Sequence, residues 1–347
     1  MLKKVSIFHE ISIKSTQCQV KLTELSQDAF ITWLLQWADD SCFKENPALC
    51  TIGKEFIKKL LSLKYSSENI EIRNVNAGRQ WANIDIWAEI NEEYVLIIED
   101  KVNTSEHDNQ LERYKTTVEK YYGKDIKIVF IYLKTGLECL DNIQKIKDKG
   151  WFYFSRKDFI DFLKNHNSKS EIYSDFLLNL SEMQKESDSF SEYKKLNSYE
   201  ATKGLYSYIE SRLIDDWAQW DYVLNPNGGF LGLCFHFTSC KKNKKRELYL
   251  QIENYCNGKI NLFIKICGSW DRKIDYLYKV LNLLKEKAEE FDLSISKPPR
   301  YRIGKYTSVA IIDNVFLEKE NGKLDLENLM YQINNAAELI ECIAEIL

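Results

Sequence analysis

The stretch "NIDIWAEINEEYVLIIEDKVN", residues 83–103, constrains the fold of this chain more than any other. It reads as two strands around a turn. Ile84, Ile86 and Ala88 share one side of the first strand, Asp85 and Trp87 the other, and "NEE" reverses the chain. The return strand opens on "YVLII", a run apolar enough for a sheet covered on both faces. Glu99, Asp100 and Lys101 follow directly, where a further Val or Ile would pack better. Burying such charges is costly unless they pair or bind a cation.

Strand geometry limits what these charges can do. Residues two apart point the same way, so Glu99 and Lys101 share a face and Asp100 points oppositely. With the turn at "NEE", Asp85 falls near the position that pairs with this end of the strand. Two carboxylates and an ammonium can therefore converge at the end of a buried sheet. With a backbone carbonyl and waters they make a hard, oxygen-rich site suited to Mg²⁺ or Mn²⁺. Lys101 is then placed to orient water or to stabilise charge developing on a phosphate. The plainer reading is a salt-bridge ladder on a half-exposed sheet, worth less than about 1 kcal/mol. The apolar "VLII" run argues for burial instead.

Around this hairpin the chain reads as alternating elements. "LTELSQDAFITWLLQWADD" and "IGKEFIKKLLSLK" have helical spacing, and "NIEIRNVN" alternates like a strand. After the hairpin come a helix in "SEHDNQLERYKTTVEKYYG" and a buried strand in "IKIVFIYL". A short helix in "LDNIQKIKDKG" and a strand in "WFYFS" follow, and Ser155 is placed to cap the helix "RKDFIDFLKNH". A polar stretch, "LSEMQKESDSFSEYKKLNSYEATKG", reads as linker or charged helix and puts a domain boundary near 185. Beyond it the pattern predicts a helix in "GLYSYIESRLIDDWAQW" and antiparallel strands in "FLGLCFHFT", "ELYLQIEN" and "INLFIKICG". A helix from "KIDYLYKV", a strand in "RYRIGKYTSVAIIDNVF" and a closing amphipathic helix complete an α+β domain.

Composition excludes several classes. The net charge of -4 argues against a general basic coat for nucleic acid, though not against a local basic groove. Nine cysteines without CxxC spacing read as reduced thiols, and His9, His107, His166 and His236 are too scattered for a zinc finger. The amino-terminal "MLKKVSIFHEISIKSTQ" has no long apolar core, and no run approaches the roughly 20 residues of a membrane span. A cytoplasmic protein is expected.

Asp85, thirteen residues, and then Glu99-Asp100-Lys101 resembles the D…(D/E)xK signature of the PD-(D/E)XK nuclease superfamily. The order of elements fits its core: helix 26–38, strands 70–76, 82–90 and 94–102, helix 108–122, strand 127–133. More narrowly, "ITWLLQW", "IIEDKVN" and "NQLERY" are similar to a bacterial branch with a WLL helix, an IIE(N/D)K strand and a QLxRY helix. The resemblance covers about the first 165 residues. It implies an α/β chain: a restriction-endonuclease-like αβββαβ core in residues 1–185, with an α+β accessory domain in 186–347 for substrate, partner or dimer contacts.

The resemblance also implies roles. Asp85 and Glu99 are metal ligands, with the Asp100 carbonyl as a third, and Glu24 matches an acid that often completes the site. Lys101 is the catalytic lysine. Gln110 is the glutamine of the QxxxY helix, with Tyr114 one turn on. Ile84 stands where the strict pattern has Pro. The implied activity is Mg²⁺- or Mn²⁺-dependent phosphodiester hydrolysis by a DNA endonuclease of restriction or anti-phage defence, the cellular role by analogy alone. Cutting both strands would call for a homodimer. The alternatives are a non-catalytic nucleic-acid or protein-interaction module on the same fold, and an RNA-directed nuclease.

Several residues have structural readings beside these. Glu24 suits the positive end of a helix, and Gln110 and Tyr114 could simply pack. Arg73 and Arg79 flank the approach to the site but are equally well solvated loop arginines. "KKNKKR", Lys241 to Arg246, is either a phosphate-contacting hairpin tip or a solvated turn. Trp33, Trp37 and Trp81 read as core residues, and His107 as a helix-start residue.

Overall fold

A computed structural model describes residues 23–104, 109–213, 217–225 and 228–347. His9 and His107 lie outside them. The chain divides into two compact units: one from residues up to Leu137 together with Ile143–Gln184, the other from Glu138–Asn142 and Lys185–Leu347.

In the first unit, α1 (Glu24–Gln36) begins at a capping box between Thr23 and Ser26. Helix α2 (Pro47–Leu61) starts with Asn46 as N-cap and Pro at its first position. Strands β1 (Val75–Trp81), β2 (Ile84–Ile90) and β3 (Tyr94–Lys101) follow as an antiparallel meander. After α3 (Gln110–Tyr122), strand β4 (Lys127–Lys134) adds parallel to β3. Helix α4 (Leu140–Asp148) leads to β5 (Phe152–Ser155), parallel to β4, giving the order β1-β2-β3-β4-β5. Ser155 caps α5 (Arg156–Lys164) through a second capping box, and α6 (Glu171–Asp188) leads into the second unit. This is the mixed α/β, restriction-endonuclease-like arrangement expected from the sequence.

Both faces of the sheet are covered, which explains why β3 is buried along its whole length. On one face Ile86, Ala88, Leu96 and Ile98 pack with Phe30, Leu34, Phe56 and Phe159 from α1, α2 and α5. On the other, Val95, Ile97 and Phe130 pack with Leu111, Tyr114 and Val118 of α3. Alternation along β3 therefore assigns its polar end in advance: Glu99 and Lys101 continue the α3 row, Asp100 the α1 row.

Some boundaries differ from the sequence reading. The first strand is Val75–Trp81, not 70–76. The side chain of Asn91 takes up the backbone of the preceding segment: its Oδ1 accepts from Arg73 N (3.0 Å) and Asn74 N (3.1 Å), and its Nδ2 donates to Glu71 O (2.7 Å). Ala82 and Asn83 have φ of 52° and 66°, forming the two-residue turn that a tight hairpin needs, so β2 starts at Ile84.

In the second unit, the polar stretch continues α6 to Asp188, and α7 (Tyr199–Glu210) ends where the sequence predicted more helix. Aromatic Trp220 and Tyr222 lie instead in β6 (Ala218–Val223), which pairs with β7 (Phe230–Cys240). Strands β8 (Asn243–Asn254) and β9 (Ile260–Gly268) continue antiparallel. Helix α8 (Ile274–Ala288), short β10 (Ile295–Ser296), β11 (Thr307–Ile312) and α9 (Leu326–Ile346) complete a six-stranded sheet ordered β10-β11-β9-β8-β7-β6. The strand expected over residues 300–316 is confined to Thr307–Ile312; residues 300–306 are irregular, and Gly304 N donates to Thr307 Oγ1 (2.9 Å) in the bend ahead of the strand. The "KKNKKR" hairpin is largely tied down. Lys241 pairs with Glu345 (2.7 Å), Lys242 Nζ donates to Ile346 O (2.6 Å), and Arg246 bonds the Tyr276 hydroxyl.

Gly53 sits where α1 and α2 touch. A Cβ there would lie 2.6 Å from Leu34 O and 2.8 Å from Ala38 N. Gly53→Ala is expected to destabilise the protein by about 1–3 kcal/mol, the range for overpacking, read as a lower urea midpoint. Gly304→Ala, which meets nothing within 4 Å, serves as the control and should stay within about 0.5 kcal/mol.

Candidate active site

The β2–β3 register carries the site. Ile86 pairs with Ile98, so one step further Asp85 and Glu99 stand opposite each other on the same face. Lys101 joins them from two residues along β3. Its Nζ donates to Glu99 Oε1 and lies 3.8 Å from Asp85 Oδ2. Asp85 Oδ2 also accepts from Asp100 N at 3.0 Å. Glu99 is fully buried, and among the described residues its Oε2 has no hydrogen-bond donor.

One ammonium thus serves two carboxylates. Burial pushes the Glu99 carboxyl up to about 8, the Asp85 charge adds to this, and Lys101 offsets only part of it. Burial works against the charge on Lys101, but Glu99 and then Asp85 outweigh it, so its pKa is raised and the ammonium stays charged.

The other sequence candidates are placed as follows. Glu24 comes from the first turn of α1. Its Oε1 accepts from Val102 N (3.2 Å) and Thr104 Oγ1 (2.6 Å), and its charge reaches Lys101. The Asp100 carboxylate does not join the cluster. It lies on the α1 face, where Gln27 Nε2 donates to its Oδ1 and Asp28 hydrogen-bonds to it, so only its main-chain carbonyl stays a candidate ligand. Gln110 Nε2 donates to Tyr114 Oη (2.6 Å), and that hydroxyl donates to Asn83 O. This chain pins α3 to the turn just ahead of Asp85. Arg73 pairs with Glu71 at the surface (2.6 Å), whereas the Arg79 charge is felt by buried Asp28.

Several neighbours escaped the sequence reading. Gln27 bridges Asp100 and Thr135, whose Oγ1 donates to Gln27 Oε1 at 2.6 Å. Burial raises Asp28 to about 6 and Asp100 well above its ordinary value, and the Asp28 charge pushes Asp100 further up. Lys134, in register with Lys101 on β4, is buried and donates to Thr104 O at 2.8 Å. The available signal was Gln27-Asp28 on the inward stripe set by Phe30, Ile31 and Leu34.

Among the described residues, no group of three His, Cys, Asp or Glu side chains is gathered to hold a metal. Two carboxylates nonetheless suit Mg²⁺, which is usually held by one or two of them while water and substrate phosphate fill the octahedron. The donorless Glu99 Oε2 and the shortfall of positive charge fit such a cation.

Residues 17–173 match the family model of the PD-(D/E)XK nuclease superfamily. No curated protein and no solved structure matches the chain.

The raised Glu99 pKa has a stability consequence. In the metal-free protein the fold favours protonated Glu99. That contribution is complete below about 4.5 and is lost as pH rises through about 8. In EDTA, the wild type should therefore lose melting temperature relative to Glu99→Gln between pH 5 and pH 8. Parallel pH profiles for the two proteins would show that Glu99 is charged throughout.

Proposed function

We propose that this chain, which belongs to the PD-(D/E)XK nuclease superfamily through residues 17–173, is a Mg²⁺- or Mn²⁺-dependent nuclease acting on DNA as an endonuclease. The observation that carries this reading is the convergence of Asp85, Glu99 and Lys101 at the end of a doubly covered sheet, with Glu99 Oε2 lacking a donor. A ladder of surface ion pairs would leave these groups in water. Here Glu99 is wholly removed from it.

In this proposal Asp85 and Glu99 hold the cation, with the Asp100 carbonyl as a further ligand and Glu24 at the edge of the site. The cation, when bound, polarises the scissile phosphate and lowers the pKa of the attacking water. Lys101 has three N–H donors, one of which goes to Glu99. The others are available to aim a water at phosphorus and to stabilise charge on the phosphate oxygens. Gln110 and Tyr114 act as positioning residues, holding the turn next to Asp85 through Asn83 O. The second unit is assigned to substrate, partner or dimer contacts, and a homodimer would present two sites to two strands. A cytoplasmic setting is part of this proposal. Among the described residues no helix is long and apolar enough to cross a membrane. The role in restriction or anti-phage defence is carried over by family analogy.

The test is cleavage of single- and double-stranded DNA and RNA with Mg²⁺, Mn²⁺ or EDTA. Cleavage of DNA that needs the cation, and that falls about 10²–10³-fold in Lys101→Ala while the variant still melts cooperatively well above the assay temperature, is the expected result. Preferential cleavage of RNA would move the substrate class. Intact nucleic acid under every condition would favour a non-catalytic module on this fold.

A further inference from the structure

The chain carries a net charge of -4, yet residues 297–306, "KPPRYRIGKY", hold four cations and no acid. Lys297, Arg300, Arg302 and Lys305 are all exposed. Among the described residues none of them forms an ion pair. This differs from "KKNKKR", whose Lys241, Lys242 and Arg246 are engaged within the second unit. The loop's two lysines lie against rings instead. Lys297 Nζ is 5.4 Å from the Tyr278 ring and 5.8 Å from that of Tyr301, and Lys305 Nζ is 5.1 Å from that of Tyr306.

A second observation comes from the sheet beside this loop. The β7–β8 register passes from Phe235↔Leu250 to Thr238↔Leu248, so two residues on β7 oppose Tyr249 alone. His236, in this bulge, has φ of 52°, a region that non-glycine residues enter only at a cost. Bulges re-aim side chains. Here the result is Phe237 stacked on Tyr249, centroids 4.5 Å apart and planes within 1°, with Tyr306 edge-on to Tyr249 at 6.3 Å. Phe237 is 39% exposed and Tyr306 55%, so buried Tyr249 backs two rings that reach solvent.

We infer that loop 297–306, with Tyr306 and Phe237, is a binding surface for single-stranded nucleic acid. Arg300, Arg302 and Lys305 take the phosphates, and the two exposed rings take base faces. An unpaired strand offers both groups together, whereas a duplex hides its base faces and would engage the cations alone. This goes beyond the catalytic proposal and does not depend on it.

The test uses the full chain in EDTA and a fluorescein-labelled oligodeoxythymidylate, read by anisotropy. Saturable binding is expected. Replacing Arg300, Arg302 and Lys305 together by Ala should weaken it at least about tenfold and flatten the log–log salt slope by about 2, at about 0.7 per phosphate contact on a single strand. Tyr306→Ala should weaken it at least about fivefold, within the range of base–aromatic stacking. Phe237→Leu should also weaken it, while Phe237→Tyr keeps it, with melting curves confirming that each variant is folded. The inference is overturned if the wild type does not bind, or if the triple variant binds as the wild type does. It is equally overturned if duplex DNA or anionic vesicles compete as well as the single strand. Binding is read without divalent cation and cleavage with it, so the failure of either reading is seen separately.

Discussion

Glu99 brings two oxygens into a space where a single ammonium must serve both it and Asp85. The arrangement follows from placing charges at the end of a strand that is buried on both faces. Buried Glu99 cannot be solvated, Asp85 is only partly reached by water, and Lys101 cannot neutralise both. A polar cluster of this kind does not maximise stability. It persists because the surrounding sheet and helices over-determine it, and the missing positive charge is what the proposed cation would supply.

The surrounding structure holds this cluster from two sides. On the α1 face, Asp100 is fastened to Gln27, and Gln27 to Thr135 at the end of β4. Because Asp100 lies between Glu99 and Lys101, fixing it fixes the direction in which both neighbours point. On the α3 face, Tyr114 holds Asn83, and Asn83 belongs to the turn that delivers Asp85. Glu24 closes the open end by accepting from Val102 N and Thr104. The acidic pair and the lysine are thus placed by backbone that is itself anchored by side chains, so the site does not rest on a mobile loop.

Much of this was legible in the sequence because the hairpin obeys period-two geometry. The apolar "VLII" run announced burial, and the turn at "NEE" set the register that brings Asp85 opposite Glu99. The first strand was misplaced because alternation in "NIEIRNVN" looks the same whether the backbone pairs with a strand or with the Asn91 side chain. The end of α7 was missed because helical periodicity continues into Trp217–Trp220, and only tertiary pairing with β7 makes that stretch a strand. Gln27 and Asp28 were passed over because two polar residues on an otherwise apolar helix have no local signature for what they meet. Their partners are 73 and 108 positions away for Gln27 alone.

The three-residue turn between β2 and β3 carries a consequence for how such a chain can diverge. Asn91 and Glu92 adopt φ of 54° and 57°, and the strands on either side are locked from Ile90↔Tyr94 to Ile86↔Ile98. Inserting or deleting one residue there would slide one strand past the other by a single step. Glu99 would then exchange faces with Asp100 relative to Asp85. Substitutions at the exposed tip can accumulate without disturbing the chemistry, but its length cannot drift. Among descendants of this sequence Glu92 and Glu93 should therefore vary, while Asn91, whose side chain holds the backbone of residues 71–74, and the number of residues are kept.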